Sequence, residues 1–236
     1  MPRSNRGKEG KDDLFFGTQK AQKSIQEAVT DYSYLLSRGF PEKSSLALVG
    51  NRYKLSSRQQ KAVRGMSESA ERLTLRASKQ ISVDQLKDQH TMIDGFNLLI
   101  LLESALSGAY IFKGLDGCYR DLSSVQGTYK RVQQTQKALL LVGDFLQQKE
   151  VANVTWVFDK PVSNSGRLKS ILEEIAREKK YSWEILLQDR TDHFLAESNA
   201  VIVSSDSWVL DQSKSWVNLA SALIENCVEN PNIVYA

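Results

Sequence analysis

The apolar positions of this chain keep two different periods, and the change comes near residue 89. In the first third, Ile25, Val29, Tyr32 and Leu36 recur at intervals of three and four, the spacing of one face of an amphipathic helix over about residues 18–37. Arg38-Gly39-Phe40-Pro41 ends it, because Pro41 cannot continue a helix and Gly39 readily takes the left-handed cap conformation. Two short helices follow, one over "LALVGN" capped by Ser44 or Ser45 and one over "RQQKAVRGM" capped by Ser56 or Ser57. Residues 18–80 thus read as a small all-helical module, and residues 1–17, polar and charged, as a disordered basic tail.

Over residues 88–236 the pattern alternates. "HTMID", "VANVTWVFD", "SWEILLQD" and "NAVIVSSD" are short runs rich in β-branched, aromatic or other apolar residues and predict strands. Between and after them "FNLLILLESAL", "SGRLKSILEEIAREKK", "TDHFLAES" and "SWVNLASALIENCVE" predict helices. Strands alternating with helices imply right-handed parallel crossovers, hence an α/β domain with a parallel doubly wound sheet flanked by helices. In such sheets ligands gather at the carboxyl ends of the strands.

Composition refines this picture. With 236 residues, 41% of them hydrophobic, the chain can bury a large core and a small companion. No run approaches the ~20 apolar residues of a membrane span, and the charged start lacks the apolar stretch of a secretory signal. The expectation is a cytoplasmic protein with no membrane partner. Cys118 and Cys227 belong to no metal-binding or disulfide pattern. Residues 1–90 carry 17 Lys and Arg against 10 Asp and Glu, whereas the remainder carries 14 against 18. A basic first part suits a polyanion, and Arg58, Lys61 and Arg64, spaced by three, suggest a stripe along a phosphate backbone. The plainer alternative is an ordinary solvated helix face.

Three predicted strands end in an acid, at Asp94, Asp159 and Asp206, and a fourth is followed by Asp189 and then Asp192. If these strands are parallel neighbours, their carboxylates converge, and like charges raise one another's pKa unless a counter-charge intervenes. A divalent cation with hard oxygen ligands resolves the conflict, which points to Mg2+ or Mn2+. Any single one of these aspartates would more often be a helix cap; the repetition favours a site. The segment "DKPVSNSGRLK" adds Ser163, Asn164, Ser165 and Arg167 at a helix start, where free amides hold phosphate, with Ser163 or Ser165 as the helix cap in the plainer account. A polar stretch with Asp116, Arg120, Asp121, Gln126, Tyr129, Lys130 and Arg131 offers phosphate contacts and a ring for base stacking, or is a plain surface connection. His90 and His193 have no metal-pair spacing, and Trp156, Trp183, Trp208 and Trp216, all in apolar segments, are expected in the core.

"IDGFNLLI", "VFD" at 157–159 and "VIVSSD" at 201–206 resemble the acidic strand ends of the PIN and NYN nuclease superfamily over about residues 90–215. The basic helical module joined to this half resembles, more narrowly, a family of uncharacterised proteins made of two consecutive domains of unknown function. The resemblance implies a metal-dependent ribonuclease, an endoribonuclease hydrolysing RNA phosphodiesters through a carboxylate-bound Mg2+ or Mn2+ site. It implies Asp94, Asp159 and Asp206 as metal ligands, Asp192 as a fourth catalytic acid, Asn97 as a partner of Asp94 or substrate, RNA as the partner and a homodimer as a familiar assembly. Only 13 residues separate Asp192 from Asp206, fewer than is usual in NYN members, so Asp189 or Asp211 stands as an alternative fourth acid. Two other functions compete: an inactive PIN-like RNA-binding protein, and a phosphohydrolase of small substrates, although neither GxxxxGK[ST] nor GxGxxG is present.

Overall fold

The computed structural model of the chain describes residues 5–123 and 127–236. In chain order the helical part comprises α1 (Asp12–Phe16), α2 (Gln19–Ser37), α3 (Glu42–Arg52), α4 (Ser57–Met66) and α5 (Ala70–Lys79). The predicted helix over 18–37 is α2, with the Thr18 hydroxyl accepting from the Ala21 amide at 3.2 Å. α4 starts in a reciprocal capping box between Ser56 and Gln59. α3 begins earlier than expected, after Pro41, whose fixed φ suits the extended residue before a helix.

The remainder comprises β1 (Gln80–Ile81), β2 (His90–Asp94), α6 (Gly95–Leu106), β3 (Tyr110–Lys113), β4 (Tyr119–Arg120), α7 (Thr135–Gln148), β5 (Asn153–Asp159), α8 (Ser165–Lys179), β6 (Trp183–Gln188) and α9 (Thr191–Ala196). It ends with β7 (Val201–Val203), α10 (Ser207–Gln212), β8 (Trp216–Val217), α11 (Leu219–Cys227) and β9 (Asn232–Tyr235). Six strands form a parallel sheet in the order β1-β8-β7-β2-β5-β6. The expected α/β class with a helical N-terminal segment is therefore present. β2 is the switch point: the chain continues to β5 on one side of it and later returns to β7 on the other.

Alternation along the strands fills two cores. Ile93, Trp156, Phe158, Val201 and Val203 face α6, α7, α8 and α11, while Val157 and Ile202 face Leu195 of α9 and Val209 and Leu210 of α10. A second sheet, β4-β3-β9, pairs β3 in parallel with β9 and antiparallel with β4. It was not expected from the sequence. Phe112 of β3 and Val234 of β9 complete the core of the helical module, alongside Phe16, Ile25, Val29 and Met66.

Two expectations need correction. The stretch read as a disordered tail folds from Asn5 onward: Phe16 is fully buried, and Arg6 forms a salt bridge at 2.5 Å with Glu103, itself fully buried on α6. A buried carboxylate demands such a partner, which periodicity cannot reveal. The predicted helix over "SWVNLASALIENCVE" divides into β8 and α11, and the residues before it form α10.

Candidate functional site

β7, β2, β5 and β6 are adjacent and parallel, so their carboxyl ends open on one edge. Asp94 ends β2, Asp159 ends β5, Asp206 follows β7 and Asp192 opens α9 just after β6. All four line one cavity of about 370 Å³. The four acids singled out in the sequence are thus brought together. Asp189 is instead exposed and paired with Lys160 at 3.6 Å, and Asp211 is paired with Arg76 at 2.6 Å, so Asp192 is the fourth acid of the cavity.

The local chemistry explains how four acids are held around one cavity. Asp94 is only 6% exposed, and burial pushes its carboxyl up to about 7, with the carboxylates of Asp192 and Asp206 adding to the rise. Opposing this, the Ser204 hydroxyl donates to Asp94 Oδ2 at 2.8 Å and the Asn97 amide donates to Oδ1 at 3.4 Å. Asp192, at the mouth, is also raised, first by partial desolvation and then by Asp206 and Asp159. Asp206 caps α10, its Oδ1 accepting from the amides of Trp208 at 2.9 Å and Val209 at 3.1 Å. The cap and the site are therefore not rivals here: Asp94 and Asp206 serve both.

Ser204 and Ser205 were missed as site residues, although the hydroxyl doublet before Asp206 was a visible signal. Ser204 Oγ accepts from the Asp206 amide at 3.0 Å while donating to Asp94, and so couples two strand ends. Asn97 Oδ1 accepts from the amide and hydroxyl of Ser205 at 2.8 and 2.9 Å, so its side chain binds the β7 end rather than Asp94. Asp121 also lines the cavity; burial pushes it up to about 6 against the Ser123 amide that donates to it at 2.6 Å.

Gly95 follows Asp94 at the first position of α6. Its role is close packing: a Cβ there would lie 2.3 Å from the Phe158 ring. Arg120 lines the cavity and donates to the Ser205 carbonyl at 2.9 Å, while its other nitrogens chelate Asp116 at 2.9 and 2.7 Å. Asp116 also receives Arg76 of α5, at 2.8 Å, and Arg76 is 1% exposed among Asp116, Asp211 and Glu68. A chain of ion pairs thus runs from the helical module to the strand end bearing Asp206.

Would these residues suit a divalent cation? The donor set is hard oxygen throughout, and none of the four strand-end acids takes part in a salt bridge among the described residues. That excess of uncompensated carboxylate fits a cation. Yet among the described residues no three carboxylate, histidine or cysteine side chains close around a single point, so water would have to complete the coordination of any ion held there.

The proposed phosphate-binding residues lie elsewhere. Asn164 caps α8 with φ 72° and no side-chain cap; its Nδ2 donates to the Tyr129 carbonyl at 2.9 Å. The Ser163 carbonyl accepts from the Tyr129 amide at 3.1 Å, and Ser165 is buried, its hydroxyl directed to the Lys160 carbonyl at 3.4 Å. Ser163 and Asn164 thus hold the 127–130 segment, and Arg167 is exposed beside them, outside the cavity lining. The basic stripe on α4 is dispersed, since a three-residue step falls short of a turn and places Arg58 and Arg64 about 120° apart. Arg58 is bound to Asp12 at 2.6 Å, Lys61 donates to the Leu122 carbonyl at 3.0 Å, and Arg64 remains exposed. Tyr129 is 2% exposed, its hydroxyl on Glu103 at 2.5 Å, and cannot stack on a base. Gln126 lies outside the described residues. Trp208, expected in the core, is 42% exposed.

No helix among the described residues is long and apolar enough to cross a membrane. No solved structure matches the chain. Residues 24–79 match the family "Protein of unknown function (DUF434)". The chain is 30% identical over 204 residues to "Uncharacterized protein MJ0935" of Methanocaldococcus jannaschii, covering 86% of this chain and 97% of that protein. Residues 83–222, which contain the whole acidic edge, match "Domain of unknown function (DUF5616)", and the chain belongs to that family.

Proposed function

We propose that the protein is a metal-dependent ribonuclease with a PIN-like catalytic half. The observation that supports this most is the convergence of Asp94, Asp159, Asp192 and Asp206 from four neighbouring parallel strands on one cavity, without a salt bridge to any of them among the described residues. Asp94, Asp159 and Asp206 would hold Mg2+ or Mn2+, with Asp192 at the mouth. When bound, such an ion lowers the pKa of a coordinated water and offsets charge developing on a phosphate.

The chain's own groups do the rest. Ser204 orients Asp94, Asn97 and Arg120 fix the Ser205 backbone, and Asp206 stays aligned by capping α10. Asp192, the most accessible of the four and raised in pKa, is suited to take a proton from an attacking water or return one to a leaving oxygen. In this account the helical module serves the site through Arg76 rather than through a basic stripe.

A second function, a PIN-like RNA-binding protein that does not cut, draws on one observation: no three ligands close around a point among the described residues. Calorimetric titration of Mn2+ and incubation with a labelled structured RNA separate the two. Metal binding and cleavage by the wild type, both lost in Asp94→Asn, is the expected result; no metal binding at millimolar concentration would leave only the binding function.

A further inference from the structure

The most exposed indole of the chain stands beside the acidic cavity. Trp208 is 42% exposed, whereas Trp156 and Trp216 are fully buried. Its neighbours on α10, Val209 and Leu210, are fully buried against the sheet, so the short helix satisfies its core without the indole. Leaving an indole in water forfeits a large apolar contribution.

Its position is fixed from two sides. The Trp208 amide donates to Asp206 Oδ1 at 2.9 Å, and two residues of chain keep its Cα within about 8 Å of that of Asp206. The His193 ring, carried by the residue after Asp192, packs against the indole with centroids 4.7 Å apart and planes tilted by 58°. Ser207, between Asp206 and Trp208, lines the cavity. Both rings are thus mounted on the residues that follow two of the cavity acids.

We infer that Trp208, braced by His193, is a stacking step for an unpaired nucleobase whose neighbouring phosphate enters the acidic cavity. This rests on the ribonuclease reading of that cavity and adds to it a requirement: the nucleotide beside the scissile bond is unstacked from its own strand. A flat, sequence-tolerant aromatic surface beside a phosphate-directed site is the arrangement by which single strands are gripped. A base within a duplex presents no free face and cannot use it.

The test uses the full chain carrying Asp94→Asn, in Mg2+, so that binding is read without cleavage. A labelled 12-nucleotide RNA is presented as a single strand, annealed to its complement, and as a strand with abasic sites. Adding Trp208→Ala is expected to weaken single-strand binding about tenfold, the effect of one lost base stack. Trp208→Phe should recover most of that loss, and neither change should alter binding of the duplex or the abasic strand. Equal loss on the abasic strand, or none on the intact single strand, overturns the inference while leaving the ribonuclease reading standing. Failure of the Asp94→Asn protein and the wild type to bind any of the three RNAs overturns both. Sedimentation of the wild type as a dimer and of Trp208→Ala as a monomer would assign the indole to a second copy and overturn it as well.

Discussion

Asp94→Asn should stabilise the metal-free protein, by an amount that grows as the pH rises from 4 to 7. The carboxyl is 6% exposed and burial lifts its pKa from 3.8 to about 7. A rise of about 3 in pKa, at about 1.36 kcal/mol each, caps the cost of ionising it in the fold at about 4 kcal/mol. Because the folded pKa lies above the unfolded one, the native state binds the extra proton, so this group's cost is absent below pH 4, grows between pH 4 and 7, and is complete above pH 7. The groups facing Asp94, namely Asp192 and Asp206, add to it, and Ser204 lessens it. Asparagine removes the charge and keeps its one acceptor oxygen for the Ser204 hydroxyl, at the expense of the longer 3.4 Å contact from the Asn97 backbone amide. With relaxation of the site, we expect a gain of about 2 to 4 kcal/mol at pH 8, or on the order of 5 to 10 °C in Tm for a chain of this size. Differential scanning calorimetry in chelator at pH 4.5 and pH 8 measures it. Saturating Mg2+ should raise the wild-type Tm and close the gap. Destabilisation by Asp94→Asn at pH 8, or a gap independent of pH, would refute the desolvation argument.

Three further substitutions probe the supports of the site. Arg76→Met strips the cation from Glu68, Asp116 and Asp211 and should cost about 3 to 5 kcal/mol in urea denaturation, with RNA cleavage falling beyond what unfolding explains because the Asp116–Arg120 pair loses its tie to α5. Gly95→Ala drives a methyl into the Phe158 ring and should cost about 1 to 3 kcal/mol by thermal denaturation, with Phe158→Leu restoring part of it. Arg6→Ala leaves the buried Glu103 without its cation; about 3 kcal/mol should be lost at pH 7 and regained in the double variant Arg6→Ala, Glu103→Gln.

What the sequence disclosed follows from which interactions are local. β2, β5, β6 and β7 could be read because a short apolar run ending in an acid is a local pattern, and the capping of α2 and α4 by Thr18 and Ser56 likewise involves neighbours. The second sheet could not, since β3 and β9 are short and meet only through residues more than a hundred positions apart. The acids of the cavity were legible for the same local reason, and the choice of Asp192 over Asp189 and Asp211 was not, because it depends on Lys160 and Arg76, which claim the other two. The basic stripe failed on geometry: Arg58 is consumed by Asp12, an acid in a segment with no apolar pattern to betray its folding. Trp208 was misplaced since an indole among apolar neighbours looks the same in sequence whether it turns inward or outward.

The pairing of β9 with β3 bears on how this protein comes to be folded. Val234 is fully buried in the same core as Ile25 and Phe112, so the helices made first cannot close their interior until a strand near residue 234 has been synthesised. The nascent helical module must therefore wait, with apolar surface exposed, for the α/β half to be translated in full, and maturation of the two halves is a single late event rather than two successive ones.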